Sequence, residues 1–193
     1  MKHRKPLLLA VLYVALTLGA NPLSAEPLSR DELLALREGE MRKLAIHKQA
    51  ADLPTFTLLD MDDRERHLSE FRGKWVLLNF WATWCAPCRK EMPMLDALQA
   101  ELGGEDFEVV LIAAGRNPKP AIRKFFEEAN ITNLPTLRDP TQQLSNLMGV
   151  FGLPITVILN PEGQEIARMR GDADWSSPEA KAFLQTMIAG RQG

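Results

Sequence analysis

Cys85 and Cys88 are the only cysteines among 193 residues, and they stand two residues apart inside NFWATWCAPCRKEMP, Asn79 to Pro93. A close thiol pair can be a redox couple, two ligands of a metal site, or a crosslink. As a crosslink it is poor, because a bridge over two residues removes little chain entropy and so long a chain can bury its own core. A structural zinc needs four ligands, and beyond residue 25 the only histidines are His47 and His67, too far apart for finger-type spacing. Haem attachment needs a histidine directly after the second cysteine, where this chain has Arg89. Two soft thiolates could hold Cu(I), so copper handling stays open as an alternative role for the pair. Thiol–disulfide exchange is the reading that needs nothing more than the pair itself. It calls for no cofactor and no metal centre.

Exchange requires a thiolate, and the surrounding elements are suited to make one. WVLLNFW (75–81) is apolar and β-rich, the pattern of a strand buried on both faces at the centre of a parallel sheet. Helix is expected from about Ala86 to Leu102, ending at Gly103-Gly104. Cys85 then sits at a strand end and a helix start, where unpaired N–H groups and the helix dipole favour a negative sulfur. Cys88, one turn further in, is placed to attack a mixed disulfide at Cys85. Pro87 lacks an N–H, which costs nothing in a first helical turn. Glu91 lies three residues after Cys88 on roughly the same face, where a carboxylate raises a thiol's pKa and can assist proton transfer.

The rest of the chain alternates. FEVVLIAAG reads as a second buried strand and KPAIRKFFEEAN as an amphipathic helix with Pro120 in its first turn and a stop near Asn130. TQQLSNLMG is a short helix, and PITVILNPEGQEIARMRG is a hairpin turning at Asn160 to Gly163. Ser177-Pro178 opens a last helix to about Ala189. The fold class is α/β, a central mixed β-sheet flanked by helices, occupying residues 53–193. Residues 26–52 are expected to form a helical extension, because Ser29 and Glu32 make a capping box ahead of a helix-prone run weakened at Gly39.

Residues 1–25 read as an export signal: Lys2, Arg4 and Lys5, then an unbroken apolar run from Leu7 to Ala20. The run is short for a membrane span, and Leu18 or Leu23 occupies the position where a cleavage site prefers a small residue. Cleavage is favoured, and an uncleaved membrane tether is the alternative. These residues hold three of the 23 basic side chains and none of the 25 acidic ones, leaving 20 basic against 25 acidic. An acidic remainder without a basic cluster excludes nucleic acid as a partner. Export to the periplasm or cell envelope also means that the thiol pair oxidises unless something re-reduces it.

NFWATWCAPCRKEMP, with LSEFRGKWVLLNFW before it and GVFGLPITVILNPEGQEIARMRG later, resembles the TlpA/ResA/CcmG branch of the thioredoxin superfamily, nearest to TlpA, over Leu53 to Ile188. GDADWSSPEA is a further, weaker match. The resemblance implies a thioredoxin fold and a reductase of disulfides in exported proteins of the cytochrome c or copper-site maturation kind, served by a membrane electron donor of the DsbD/CcdA type. By the same resemblance Cys85 is the nucleophile, Cys88 the resolving thiol and Pro154 the cis-proline beside the disulfide, with Leu153 before it pairing with substrate; Pro135 is the competing proline. Trp84 and Pro87 belong to the substrate-facing surface, and Trp84 shields one side of the disulfide. Glu91 tunes the pair. One departure stands out: thioredoxins proper carry a buried Asp on the strand before the cysteines, and this chain has Asn79, which exchanges no proton. The residue before Cys88 is Pro87 where strong oxidants of the superfamily carry His, which implies a reductant. The loop lacks a Thr-x-x-Cys arrangement, which leaves peroxide reduction with little support.

Overall fold

The computed structural model describes residues 28–190; the export signal lies outside the described residues. Eight strands form one mixed sheet, in the spatial order β1-β8-β7-β4-β5-β6-β2-β3. Its centre is β4, Trp75–Trp81, all seven residues buried. β5 (Phe107–Ala114) lies parallel to it on one side and β7 (Ile155–Leu159) antiparallel on the other. β6 (Thr136–Asp139) continues the parallel half, and β8 (Glu165–Arg170) closes the hairpin on β7. The mixed sheet read from the sequence is thus present, and it carries more strand at both edges.

Strand periodicity assigns the two faces of β4. Trp75, Leu77 and Trp81 point into one core with α2 (Ala86–Leu102), α3 (Lys119–Glu128) and α5 (Pro178–Ala189). Val76, Leu78 and Phe80 point into the other with α4 (Gln143–Leu147). Asn79 lies between Leu77 and Trp81 in the same alternation, so its side chain turns towards α2. That placement matters for the site.

One expectation is corrected. Residues 26–52 are not one helical extension: α1 covers only Arg30–Ala35, a 3-10 turn covers Gly39–Lys43, and Ala45–Ala51 is strand β1. The capping box at Ser29 is real, with Glu32 Oε2 accepting the Ser29 N–H at 2.7 Å. α1 already ends at its C-cap Leu36, and Gly39, at φ +49°, opens the 3-10 turn in the left-handed region that favours glycine. β1 then pairs antiparallel with β8, Ile46 opposite Ala167, which makes the extension an integral edge of the sheet. At the opposite edge Leu58–Leu59 form β2, between β6 and the two-residue β3 (Glu65–Arg66). α2 spans the residues expected, but Gly103 ends it at φ −61° without a left-handed cap.

Candidate functional site: the Cys85–Cys88 disulfide and its buried acid

β4 ends at Trp81, and four residues later Cys85 becomes the N-cap of α2. Its sulfur accepts the Cys88 N–H at 3.3 Å, so one of the orphan donors of the helix start points at Cys85. The two sulfurs form a disulfide, 2.04 Å apart. Cys85 retains 5% exposure and Cys88 none, so a reactant reaches the first sulfur alone. Pro87 lies in the first turn and is exposed.

The loop ahead of Cys85 is braced from a distance. Asn117 Oδ1 accepts the Thr83 N–H at 2.8 Å and the Thr83 hydroxyl at 3.1 Å, while Asn117 Nδ2 donates to the Ala114 carbonyl. Nothing in the sequence singles out Asn117 beyond its place in an Asn-Pro turn pair. Beneath the loop Trp81 is fully buried and packs on Phe125 and Phe126 with centroids 5.6 Å away in each case, and the Arg89 guanidinium lies 4.9 Å over Phe125. Trp84 does the opposite: it is 68% exposed.

The Leu153–Pro154 peptide bond is cis, whereas Leu134–Pro135 is not among the cis bonds of the described residues. Phe80 pairs with Ile155, which puts Pro154 level with the end of β4 and beside the loop leading to Cys85. The Pro154 carbonyl accepts the Gly171 N–H at 3.0 Å. A hollow of about 450 Å³ lined by Phe151, Leu153, Pro154 and Arg170 opens at this point, and Phe151 is 87% exposed.

Glu91 is fully buried on the inner face of α2. Three donors converge on it. Asn79 Nδ2 donates to Oε1 at 2.7 Å; the Ala173 N–H and the Trp175 indole N–H donate to Oε2 at 3.4 and 3.3 Å. Asn79 Nδ2 also donates to the Thr156 hydroxyl, its direct cross-strand neighbour, at 3.0 Å. Burial pushes the Glu91 carboxyl up to about 7, with Asn79, Ala173 and Trp175 opposing the rise and the negative Asp172 adding to it. An acid that changes charge near neutral pH is suited to accept and return a proton. Sequence spacing finds Asn79 and Glu91 separately; Thr156, Ala173 and Trp175 it does not assign to the site.

With this geometry in place, comparison with known proteins decides the ancestry. The AhpC/TSA family model matches residues 50–167, more than half of the chain. The chain belongs to the AhpC/TSA family. Within the thioredoxin superfamily, this AhpC/TSA member is similar to the thiol-disulfide oxidoreductase ResA of Geobacillus thermodenitrificans, at 38% identity over 58% of this chain and 63% of that one. It is similar to ResA of Bacillus subtilis at 33% identity over 64% of this chain and 68% of that one. The aligned part thus spans a little under two thirds of the first of these relatives. Among solved structures, a Chlorobium tepidum protein described as the thiol:disulfide interchange protein DsbE superposes with a TM-score of 0.62, at 26% identity, over 77% of this chain and all of that one. The exposed lipoprotein thioredoxin Etrx1 of Streptococcus pneumoniae gives 0.58 at 28% identity, over 70% and 99%. The AhpC/TSA assignment and the neighbours together establish the thioredoxin-like fold expected from the sequence.

Proposed function

We propose that the protein is an exported thiol–disulfide oxidoreductase that works as a reductant through Cys85 and Cys88. The observation that carries this reading is the asymmetry of the pair: Cys85 caps the helix and keeps 5% exposure, while Cys88 is wholly buried behind it. The Cys85 thiolate attacks one sulfur of a substrate disulfide, forming a mixed disulfide and releasing the other substrate sulfur as a thiolate that takes up a proton. Cys88, its proton passed to Glu91, attacks the Cys85 sulfur and displaces the second substrate thiolate, which takes up a proton in turn. The substrate has then gained two electrons and two protons, and the protein holds the Cys85–Cys88 disulfide.

Trp84, Pro87, Leu153 and Pro154 make the substrate face, with the exposed rings of Trp84 and Phe151 as apolar contacts. The substrates are disulfides of exported proteins, those met in cytochrome c and copper-site maturation among them, and a membrane donor of the DsbD/CcdA type returns the two electrons. An envelope location is supported by the Streptococcus pneumoniae neighbour, described as an exposed lipoprotein, and by the basic-then-apolar start of the chain. Among the described residues no helix is long and apolar enough to cross a membrane, which leaves any tether to the N-terminal segment.

Replacing Cys88 with Ser tests the two cysteine roles. The Cys88→Ser protein, expressed in its own cell envelope, should accumulate partners joined to Cys85 by bonds that dithiothreitol releases, and mass spectrometry of those partners names the substrates. If the Cys88→Ser protein captures no more than a Cys85→Ser/Cys88→Ser control, the assignment of attack to Cys85 is wrong.

A further inference from the structure

Two of the three donors to Glu91 sit on one loop, residues 171–177, between β8 and α5. Gly171, at φ +83°, turns the chain away from β8, and Ser177 begins α5 by capping it. Asp174 accepts from Ser176 and Ser177, which shapes the turn into α5 without tying the loop to the rest of the fold. The loop is held by its buried Ala173 and Trp175, by Gly171 on Pro154 and by Lys90 on Asp172, and the 3-10 turn of the N-terminal extension adds two further ties. Glu40 Oε2 accepts the Asp174 N–H at 2.6 Å. Lys43 Nζ donates to the Asp172 carbonyl at 3.1 Å, and Glu40 Oε1 holds that same ammonium at 2.8 Å. The turn itself is anchored by Met41 and Leu44, both fully buried, and it packs on α5.

We propose that Glu40 and Lys43 are positioning residues for Glu91: they fix the 171–177 loop so that the Ala173 amide and the Trp175 indole stay within reach of the buried carboxyl. The N-terminal extension is then part of the machinery that tunes the acid, although neither residue touches the disulfide. The charged groups around Glu91 are few. On α2 Lys90 turns outward to Asp172, with 3.6 Å between Nζ and Oδ2. On the loop stand Asp172 and Asp174, and on the 3-10 turn Glu40 and Lys43. β4 and β7 present only the neutral Asn79 and Thr156.

The inference rests on reading Glu91 as the acid that serves the cysteine pair, and its test avoids turnover. In the oxidised protein no thiol titrates, so the Trp175 indole N–H resonance of 15N-labelled protein reports Glu91 ionisation directly. The parent should titrate near 7. Glu40→Ala frees the loop, weakens the two donors to the carboxylate and moves the midpoint up by about half a unit or more. Removal of a nearby negative charge alone moves it the other way, which separates positioning from simple electrostatics. Glu40→Gln keeps an oxygen for the Asp174 N–H but loses the charge, so it should titrate level with the parent or slightly below it. Glu40 is exposed, so the fold tolerates both changes; Lys43→Ala, equally exposed, should shift the midpoint in the same upward direction. A midpoint that is unmoved or lowered in Glu40→Ala, or raised equally in Glu40→Ala and Glu40→Gln, overturns the proposal. Either result leaves the cysteine trapping experiment untouched, because that experiment reads Cys85 and not the loop.

Discussion

The Glu91→Gln protein, in its oxidised form, should be more stable than the parent by about 3 kcal/mol at pH 8 and within about 1 kcal/mol of it at pH 5. The sign follows from where the proton sits. Glu91 titrates near 7 in the fold against 4.5 for the ordinary side chain. Below 4.5 both states hold the proton, and its contribution is fully present. Between 4.5 and 7 the unfolded chain releases the proton while the fold retains it, so stability falls as pH rises, and above 7 the whole penalty of a buried carboxylate remains. Glutamine carries no charge to bury. It also fits the donors: its carbonyl can serve Ala173 and Trp175, and its NH2 can meet Asn79 if that amide turns over to offer Oδ1. Asn79 Oδ1 is free to do so, being buried without a hydrogen-bond partner in its present orientation. A protonated Glu91 would use the same turned amide. Urea denaturation at both pH values is the check, and a variant whose stability differs from the parent by the same amount at both would mean that Glu91 titrates in the fold as it does in the unfolded chain.

Asn79→Asp, which places on this strand the acid that thioredoxins carry there, should act in the opposite direction and destabilise the fold. It removes the 2.7 Å donor to Glu91 Oε1 and puts a second carboxylate in its place, with both side chains fully out of solvent. The two carboxyls then titrate as a pair that holds on to a shared proton well above the usual range. At pH 8, where that proton is drawn off, the variant should lose about 3–5 kcal/mol relative to the parent. At pH 5 the pair is protonated and most of the lost stability should return. Chemical denaturation across this range reads both numbers. A loss independent of pH would place the two carboxyls too far apart to interact, contrary to the hydrogen bond between positions 79 and 91.

Local pattern carries what is legible in the sequence. β4 is seven buried residues in a row, six of them apolar, α2 starts at a strand end and stops at a glycine pair, and the Asn160–Gly163 turn has the residues its geometry demands. Glu91 stands out because a helix brings positions 88 and 91 to one face. Strand β1 escapes for a physical reason: of Ala45–Ala51 only Ile46 is buried, so no alternation announces a strand, and pairing with β8 decides the conformation. The same holds for the groups around the acid. Trp175 meets Glu91 across 84 positions and Asn117 meets Thr83 across 34, distances in sequence at which spacing carries no information. GDADWSSPEA is visible in the sequence only as a motif, and its part emerges once the loop is seen against α2.

The direction of exchange is the central claim, and Glu91 bears on it as well. A strong oxidant is one whose reduced form is stabilised as a thiolate. Here a carboxylate one turn beyond Cys88 opposes that thiolate whenever it is ionised, which favours the disulfide and makes the dithiol the better donor. Pro87 in place of a histidine supplies no positive charge to offset it. The reduction potential of the Cys85–Cys88 couple, measured by equilibration with glutathione or thioredoxin buffers at pH 7, tests this most directly. A reductant should give a value towards about −270 mV, the reducing end of the superfamily; a value near about −120 mV would mark the pair as an oxidant instead.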